Sequence, residues 1–215
     1  ERRSMAPIGN GHHLSSEQDC ILCSQAMHGD APLCAQCDLL LARAPNPACP
    51  RCARPSPTGT PCGTCLNKNW HFDGVRAIFR YTYPFDHLLQ AYKYGHRLTL
   101  ADGFGQALAS AAPPQGTIDI LLPIPLHPSR LRQRGFNQSL ELARPIGRRL
   151  AITPQTDLLE RQRDTAPQAD QAPDARRRNV RAAFHCRSDL TGATVLLVDD
   201  VMTSGATLDE AARTL

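Results

Sequence analysis

No stretch of this 215-residue chain approaches 18 consecutive apolar residues, and Glu1 to Asn10 contains no apolar signal core. Neither a membrane span nor cleaved secretion is expected, and the cytoplasm is the default address. Lysine is almost missing: of the 24 cationic Lys and Arg residues, only Lys68 and Lys93 are lysines. No lysine follows a glycine run in the manner of a Walker A loop, and there is no GxGxxG dinucleotide turn. Charged residues make up 20% of the chain, apolar residues 41%, and proline and glycine number only 18 and 14. Disordered, collagen-like and coiled-coil classes are therefore excluded. A globular protein of one ordinary domain with an attachment, or of two small domains, remains.

Positive charge is concentrated rather than large. The formal net charge is +4, yet Arg130 to Arg187 holds 13 arginines against six carboxylates, including the cluster Arg176, Arg177, Arg178. Such a segment either faces an anion or is a solvated linker, and nucleic acid is permitted without being required.

Eight of the nine cysteines lie between Cys20 and Cys65, as four CxxC pairs: Cys20/Cys23, Cys34/Cys37, Cys49/Cys52 and Cys62/Cys65. A CxxC turn points two thiolates at one tetrahedral ion, so two pairs close one four-cysteine site and eight ligands make two zinc sites. Sequential pairing is the simplest arrangement, with a cross-braced one as the alternative. A four-disulfide framework would need an oxidising compartment that nothing in the chain supports, and an iron–sulfur cluster is a weaker reading of the same spacing. Closed four-thiolate sites have no open coordination position, so both zincs are expected to be structural. The segment is too poor in apolar residues to fold unaided, and chelation is expected to unfold the first 65 residues and leave the rest folded.

Beyond Trp70 the texture changes. Val75 to Tyr83 reads as a strand, and Phe85 to Ala112 as helix broken near Gly95 and Gly103. Ile118 to Ile124 is a buried strand, Asn137 to Leu150 a helix that Pro145 should kink or shorten, and residues 160–180 a loop. Thr194 to Val198 is a buried strand leading to a helix that begins near Leu208. Strands alternating with helices predict an α/β fold with a parallel sheet flanked by helices.

The run Val198-Asp199-Asp200-Val201-Met202-Thr203-Ser204-Gly205-Ala206-Thr207 has its own chemistry. Backbone N–H groups from Thr203 to Thr207, the hydroxyls of Thr203, Ser204 and Thr207, and a helix N-terminus can cradle a phosphate, with Gly205 allowing the tight turn. Asp199 and Asp200 at the strand end can hold vicinal ribose hydroxyls or a metal bound to them. The bland alternative is a plain strand–turn–helix joint.

This run resembles the phosphoribosyl pyrophosphate (PRPP) signature of type I phosphoribosyltransferases. Together with the double zinc ribbon, Lys93-Tyr94, Pro123-Ile124-Pro125, Arg134-Gly135-Phe136-Asn137-Gln138, Thr165 and Gln168, Arg176, Asn179-Val180 and Phe184, it is similar to the ComF family (ComFC/GntX-like). The likeness covers about residues 20 to 215. Pro145 departs from that pattern within a helix, and Gln171 stands where a leucine is usual.

The resemblance implies a flexible N-terminus (1–19), a double zinc ribbon (20–68) and a type I phosphoribosyltransferase-like domain (69–215). That domain looks truncated, since the chain stops at Leu215 within the helix after the loop. It further implies Mg²⁺ with PRPP or a related ribose phosphate, single-stranded DNA and a competence-machinery protein as candidate partners, and a role in competence and the uptake or processing of transforming DNA. Asp199, Asp200, Arg134 and Arg176 are the candidate catalytic residues, with Thr203, Ser204, Gly205, Ala206 and Thr207 on the phosphate. Arg130, Arg132, Arg161, Arg163 and Gln168 would meet pyrophosphate, the last three from a mobile hood. His127 is a further candidate there, and Phe136 is either a base-stacking platform or a core plug. A non-catalytic single-strand-binding module and a PRPP-sensing regulator of the gluconate-linked type are the rival functions.

Overall fold

A computed structural model of the chain describes residues 17–28, 31, 33–95, 98–165 and 178–215. Two compact units divide between Leu39 and Leu40. In the first, strands β1 (Glu17–Asp19) and β2 (Ala26–His28) form an antiparallel hairpin, followed by α1 (Ala35–Leu39).

The second unit begins with another ribbon, whose short helix is α2 (Gly63–Leu66). This ribbon is bonded directly to the next stretch of its own unit. The Ala44 amide donates to the Ile78 carbonyl and the Arg80 amide to the Ala42 carbonyl, both at 2.8 Å. Val75 to Tyr83 is thus not the full strand its composition suggests: among the described residues its pairing is the isolated antiparallel bridge Arg43–Phe79 with these two bonds. Phe79 also packs on Phe85 at 4.8 Å and Phe104 at 6.0 Å, so aromatic packing adds to this short pairing in fixing the segment.

Helices α3 (Phe85–Tyr94) and α4 (Thr99–Ser110) come next. The break falls after Gly95, which caps α3, whereas Gly103 lies inside α4. Strand β3 (Ile120–Pro123) leads to α5 (Pro128–Arg134) and α6 (Gln138–Leu150), with Asn137 accepting the Ser139 amide at 3.1 Å as N-cap. Pro145 does not shorten α6. It lies on the buried face and meets Gly105 of α4, where an added Cβ would come within 2.6 Å of the proline ring. A small residue on one helix thus accommodates the ring on the other. Leu142, Ile146 and Leu150, spaced four apart, line the same buried face.

Strands β4 (Leu159–Arg161) and β5 (Phe184–Cys186) pair antiparallel. Strand β6 (Val195–Val198) pairs parallel with β3 in the register Ile120–Val195 to Pro123–Val198, and α7 (Ala206–Thr214) completes the unit. Helix α7 starts two residues before the expected Leu208, because Gly205 at φ +76° closes the turn directly onto Ala206. The parallel pair is the α/β core: Leu121 and Leu122 are fully buried, and Leu122, Ile124, Leu159, Phe184 and Ala211 pack together. Both parallel strands end at one edge, where β6 runs into Asp199. No helix among the described residues is long and apolar enough to cross a membrane.

Candidate phosphate site and zinc ribbons

The cysteines group sequentially, Cys20, Cys23, Cys34 and Cys37 in one cluster and Cys49, Cys52, Cys62 and Cys65 in the other, with the sulfurs of each within 4.8 Å of one another. Cys23 and Cys34 sulfurs are 3.8 Å apart and Cys52 and Cys62 sulfurs 3.7 Å. A tetrahedron with Zn–S bonds of about 2.3 Å has an edge of about 3.8 Å, whereas a disulfide would need about 2.05 Å. The donors therefore fit two closed zinc sites.

The two quartets share one local design. In each, the first cysteine carbonyl accepts at 2.8 Å from a residue held at φ +58°, Ser24 in one and Ala53 in the other. In each, the third cysteine donates its amide to the first sulfur, Cys34 to Cys20 at 3.4 Å and Cys62 to Cys49 at 3.3 Å. Burial would push the Cys20 and Cys49 thiols up, but these backbone donors outweigh it and bring both down to about 6.

At the strand end, the Asp199 carboxylate accepts from the Ser139 hydroxyl at 3.2 Å and from the Asp200 amide at 2.9 Å. Burial, and then the neighbouring Asp200 charge, push its pKa up to about 7, against the pull of the Asp200 amide, Lys93 and Ser139. Asp200 pairs instead with Lys93 at 2.9 Å, from the last turn of α3. Two acids facing one lysine leave excess negative charge, which suits vicinal hydroxyls or a divalent cation with oxygen ligands.

Beyond the acids, Met202 to Gly205 turn into the N-terminus of α7, and the Ala206 amide donates to the Ser204 hydroxyl at 3.4 Å. Gly205 is needed twice, for its positive φ and for its neighbours. A Cβ there would lie 2.8 Å from Met202 Cε and 3.0 Å from Trp70 Cζ3.

The arginine candidates separate by position. Arg161, half-buried, donates to Thr165 Oγ1 and stacks over Phe184 at 5.5 Å. Burial and Arg130 lower its pKa, whereas Asp199 and Asp164 raise it, so it sits within electrostatic reach of the acid pair. Arg130 bonds the Asp164 carboxylate at 3.3 Å and the Thr165 carbonyl, while Ser129 bonds Asp164 at 2.5 Å. His127 caps α5 and lies 3.7 Å from the same carboxylate. Arg163 donates to the Arg181 carbonyl, tying the two limbs of the loop. Arg134 stacks on Tyr94 at 4.9 Å, and Arg132 is exposed on α5. Gln168 and Arg176 lie outside the described residues, as does Gln171. Phe136 packs on buried Tyr92 at 5.6 Å, the core-plug alternative, and Tyr92 anchors α6 through its hydroxyl to the Gln138 carbonyl at 2.8 Å.

Several residues at the site carry no signal as ligands in the sequence. Lys93 stands out there only as part of a family motif, and Ser139 as an ordinary helix residue. Lys68 sits 2.8 Å above the Trp70 ring and 3.6 Å from Asp209, while the His71 amide and ring both reach Asp209, at 2.9 and 3.1 Å. The scarcity of lysine is the usable clue, since both lysines fall beside the loop or its acids.

A double zinc ribbon followed by a phosphoribosyltransferase domain is the class of protein that these features define. A double zinc ribbon domain model matches residues 17–66 and a phosphoribosyl transferase domain model residues 137–215, the latter including the acids and the phosphate loop. The chain is 31% identical over 202 residues to DNA utilization protein YhgH of Escherichia coli strain K12, spanning 91% of this chain and 83% of that protein. It is 28% identical over 214 residues to Competence protein ComFC of Streptococcus pneumoniae, at 91% and 92% coverage. Against Competence protein F of Haemophilus influenzae it is 28% identical over 163 residues, at 72% and 71%. No solved structure matches. The chain belongs to the ComF family.

Proposed function

We propose that this protein binds PRPP or a related ribose phosphate and serves in the uptake or processing of transforming single-stranded DNA, the role suggested by relatives named for competence and DNA utilization. The observation that carries the ligand is the half-buried Asp199–Asp200 pair, held by Ser139 and Lys93 directly ahead of the loop that opens α7. In this reading the 5′-phosphate takes the amides and hydroxyls of Thr203 to Thr207, and the two acids take the ribose hydroxyls. Arg161 and Arg130 face the pyrophosphate end, where Arg130 would exchange Asp164 for phosphate oxygens as the hood closes. Arg134, Arg132, Arg163, Gln168 and Arg176 complete the proposed set. Mg²⁺, held with PRPP near Asp199 and Asp200, would supply charge neutralisation for the departing pyrophosphate.

The proposed address is the cytoplasm, with a competence-machinery protein and single-stranded DNA as partners. Trp70 is the single tryptophan and touches the loop, so a PRPP titration followed by its fluorescence tests the ligand. A saturable change with PRPP and none with ribose is expected; identical flat responses would count against the site. Pyrophosphate release in the presence of acceptors then separates an enzyme from a sensor or a DNA-binding module.

A further inference from the structure

We propose that the second zinc quartet forms part of the phosphate site. In this view Trp70 relays metal occupancy of Cys49, Cys52, Cys62 and Cys65 to the Met202–Ala206 backbone, so that the loop is shaped for a phosphate only while this quartet holds its metal. The inference rests on the loop being a phosphate loop, but its geometry is independent of any particular ligand.

Four contacts converge on the indole. Its Nε1 donates to Cys65 Sγ at 3.3 Å. Its six-membered ring lies against Gly205, closely enough that a Cβ there would stand 3.0 and 3.1 Å from Cζ3 and Cη2. The Lys68 ammonium covers the ring, and Phe72 stacks on it at 4.8 Å. Trp70 and Met202 pack against the buried cluster of Cys49, Cys52 and Cys65. The same short segment is tied to the first turn of α7, through Lys68 and His71 to Asp209. The indole therefore touches a zinc ligand on one side and the loop glycine on the other.

Four sulfurs within 4.8 Å of one another would be held at that spacing by a bound cation. Without it the Cys62–Cys65 turn keeps its own backbone bonds, Cys65 and Leu66 amides to the Cys62 carbonyl at 2.8 and 3.0 Å, but is no longer drawn towards Cys49 and Cys52, and the indole's acceptor and packing surface are free to shift. Among the described residues of its own unit, the first quartet has no Phe, Tyr or Trp side chain beside it, and its sulfurs take amides from Cys34 and Cys37. Coupling must also run in reverse, so that a ligand on the loop tightens zinc at the second quartet.

The test uses the full chain, zinc-loaded, with amide hydrogen exchange read over residues 201–207 and zinc release to a chromogenic chelator read with and without PRPP. Trp70→Phe keeps a ring but removes the N–H; one hydrogen bond converts to roughly two- to tenfold faster exchange in the loop. Cys62→Ser, which opens the second quartet, should exceed that, whereas Cys23→Ser in the first should leave loop exchange at the wild-type rate. PRPP should slow the release of one of the two zincs. Wild-type loop exchange in both Trp70→Phe and Cys62→Ser would overturn the proposal. If Cys62→Ser also raises exchange in β3 and α6, it has unfolded the unit and Trp70→Phe alone decides. Failure of PRPP to bind would silence only the release measurement and would count against the ligand, not the relay.

Discussion

The two zinc quartets have nearly the same ligand spacing, the same left-handed turn residue after the second cysteine and the same amide-to-sulfur bond, yet they belong to different units. One closes a small hairpin unit. The other is packed into the α/β unit through Trp70, Met202 and the 42–44 to 78–80 pairing. Ligand spacing therefore specifies the knuckle, whereas the residues flanking it specify what the metal supports. For this reason chelation is no longer expected to unfold the first 65 residues alone. Zinc loss should abolish the fold of the hairpin unit and also lower the stability of the unit that carries the phosphate loop.

The largest expected effect sets the quartets against each other. Stripping zinc should remove one calorimetric unfolding transition entirely and move the other to lower temperature by several degrees. An unmoved second transition would mean that the second ribbon is as separable as the first. Next in size is Gly205→Ala, which combines a positive φ with contacts from Met202 and Trp70 and should cost about 2–4 kcal/mol. Denaturant melts would show it, and the same substitution should cost less in a Trp70→Ala background, where the ring no longer crowds the new Cβ.

A third prediction turns on pH. Asp199 has its folded pKa raised from 3.8 to about 7, so the folded state binds the proton more tightly than the unfolded chain. The stability it contributes is full below about pH 4 and is lost as pH rises through 7. Asp199→Asn should therefore be more stable than wild type at pH 8, with the difference shrinking towards pH 4 in paired melts, while PRPP affinity falls. A stability difference independent of pH would contradict the burial of this acid. Smallest are Ser24→Gly and Ala53→Gly, which relieve the two left-handed turns by up to about 1 kcal/mol each. Only Ala53→Gly should raise the melting temperature of the α/β unit.

Much of this organisation is legible in the chain because it is local. CxxC spacing, the Asn137 cap, the β3 and β6 apolar runs and the acid–hydroxyl–glycine loop each express their chemistry within a few residues. The features that the chain hides depend on distant partners. Pro145 reads as a helix breaker until Gly105 is placed opposite it. Val75 to Tyr83 has strand composition but pairs only briefly, with residues 42–44, and packs through Phe79. Lys93 and Ser139 become site residues only because α3 and α6 converge on the end of β6. Arg130 reads as a pyrophosphate ligand, and the fold adds that Asp164 and Thr165 hold it in this conformation.

The central claim, that the acid pair and loop bind PRPP, is tested most directly by titration calorimetry of the full chain with PRPP and Mg²⁺, on wild type and on Asp199→Asn/Asp200→Asn. Saturable binding by wild type and its loss in the double variant are predicted. No heat of binding to wild type at millimolar PRPP, or undiminished binding by the double variant, would contradict the account.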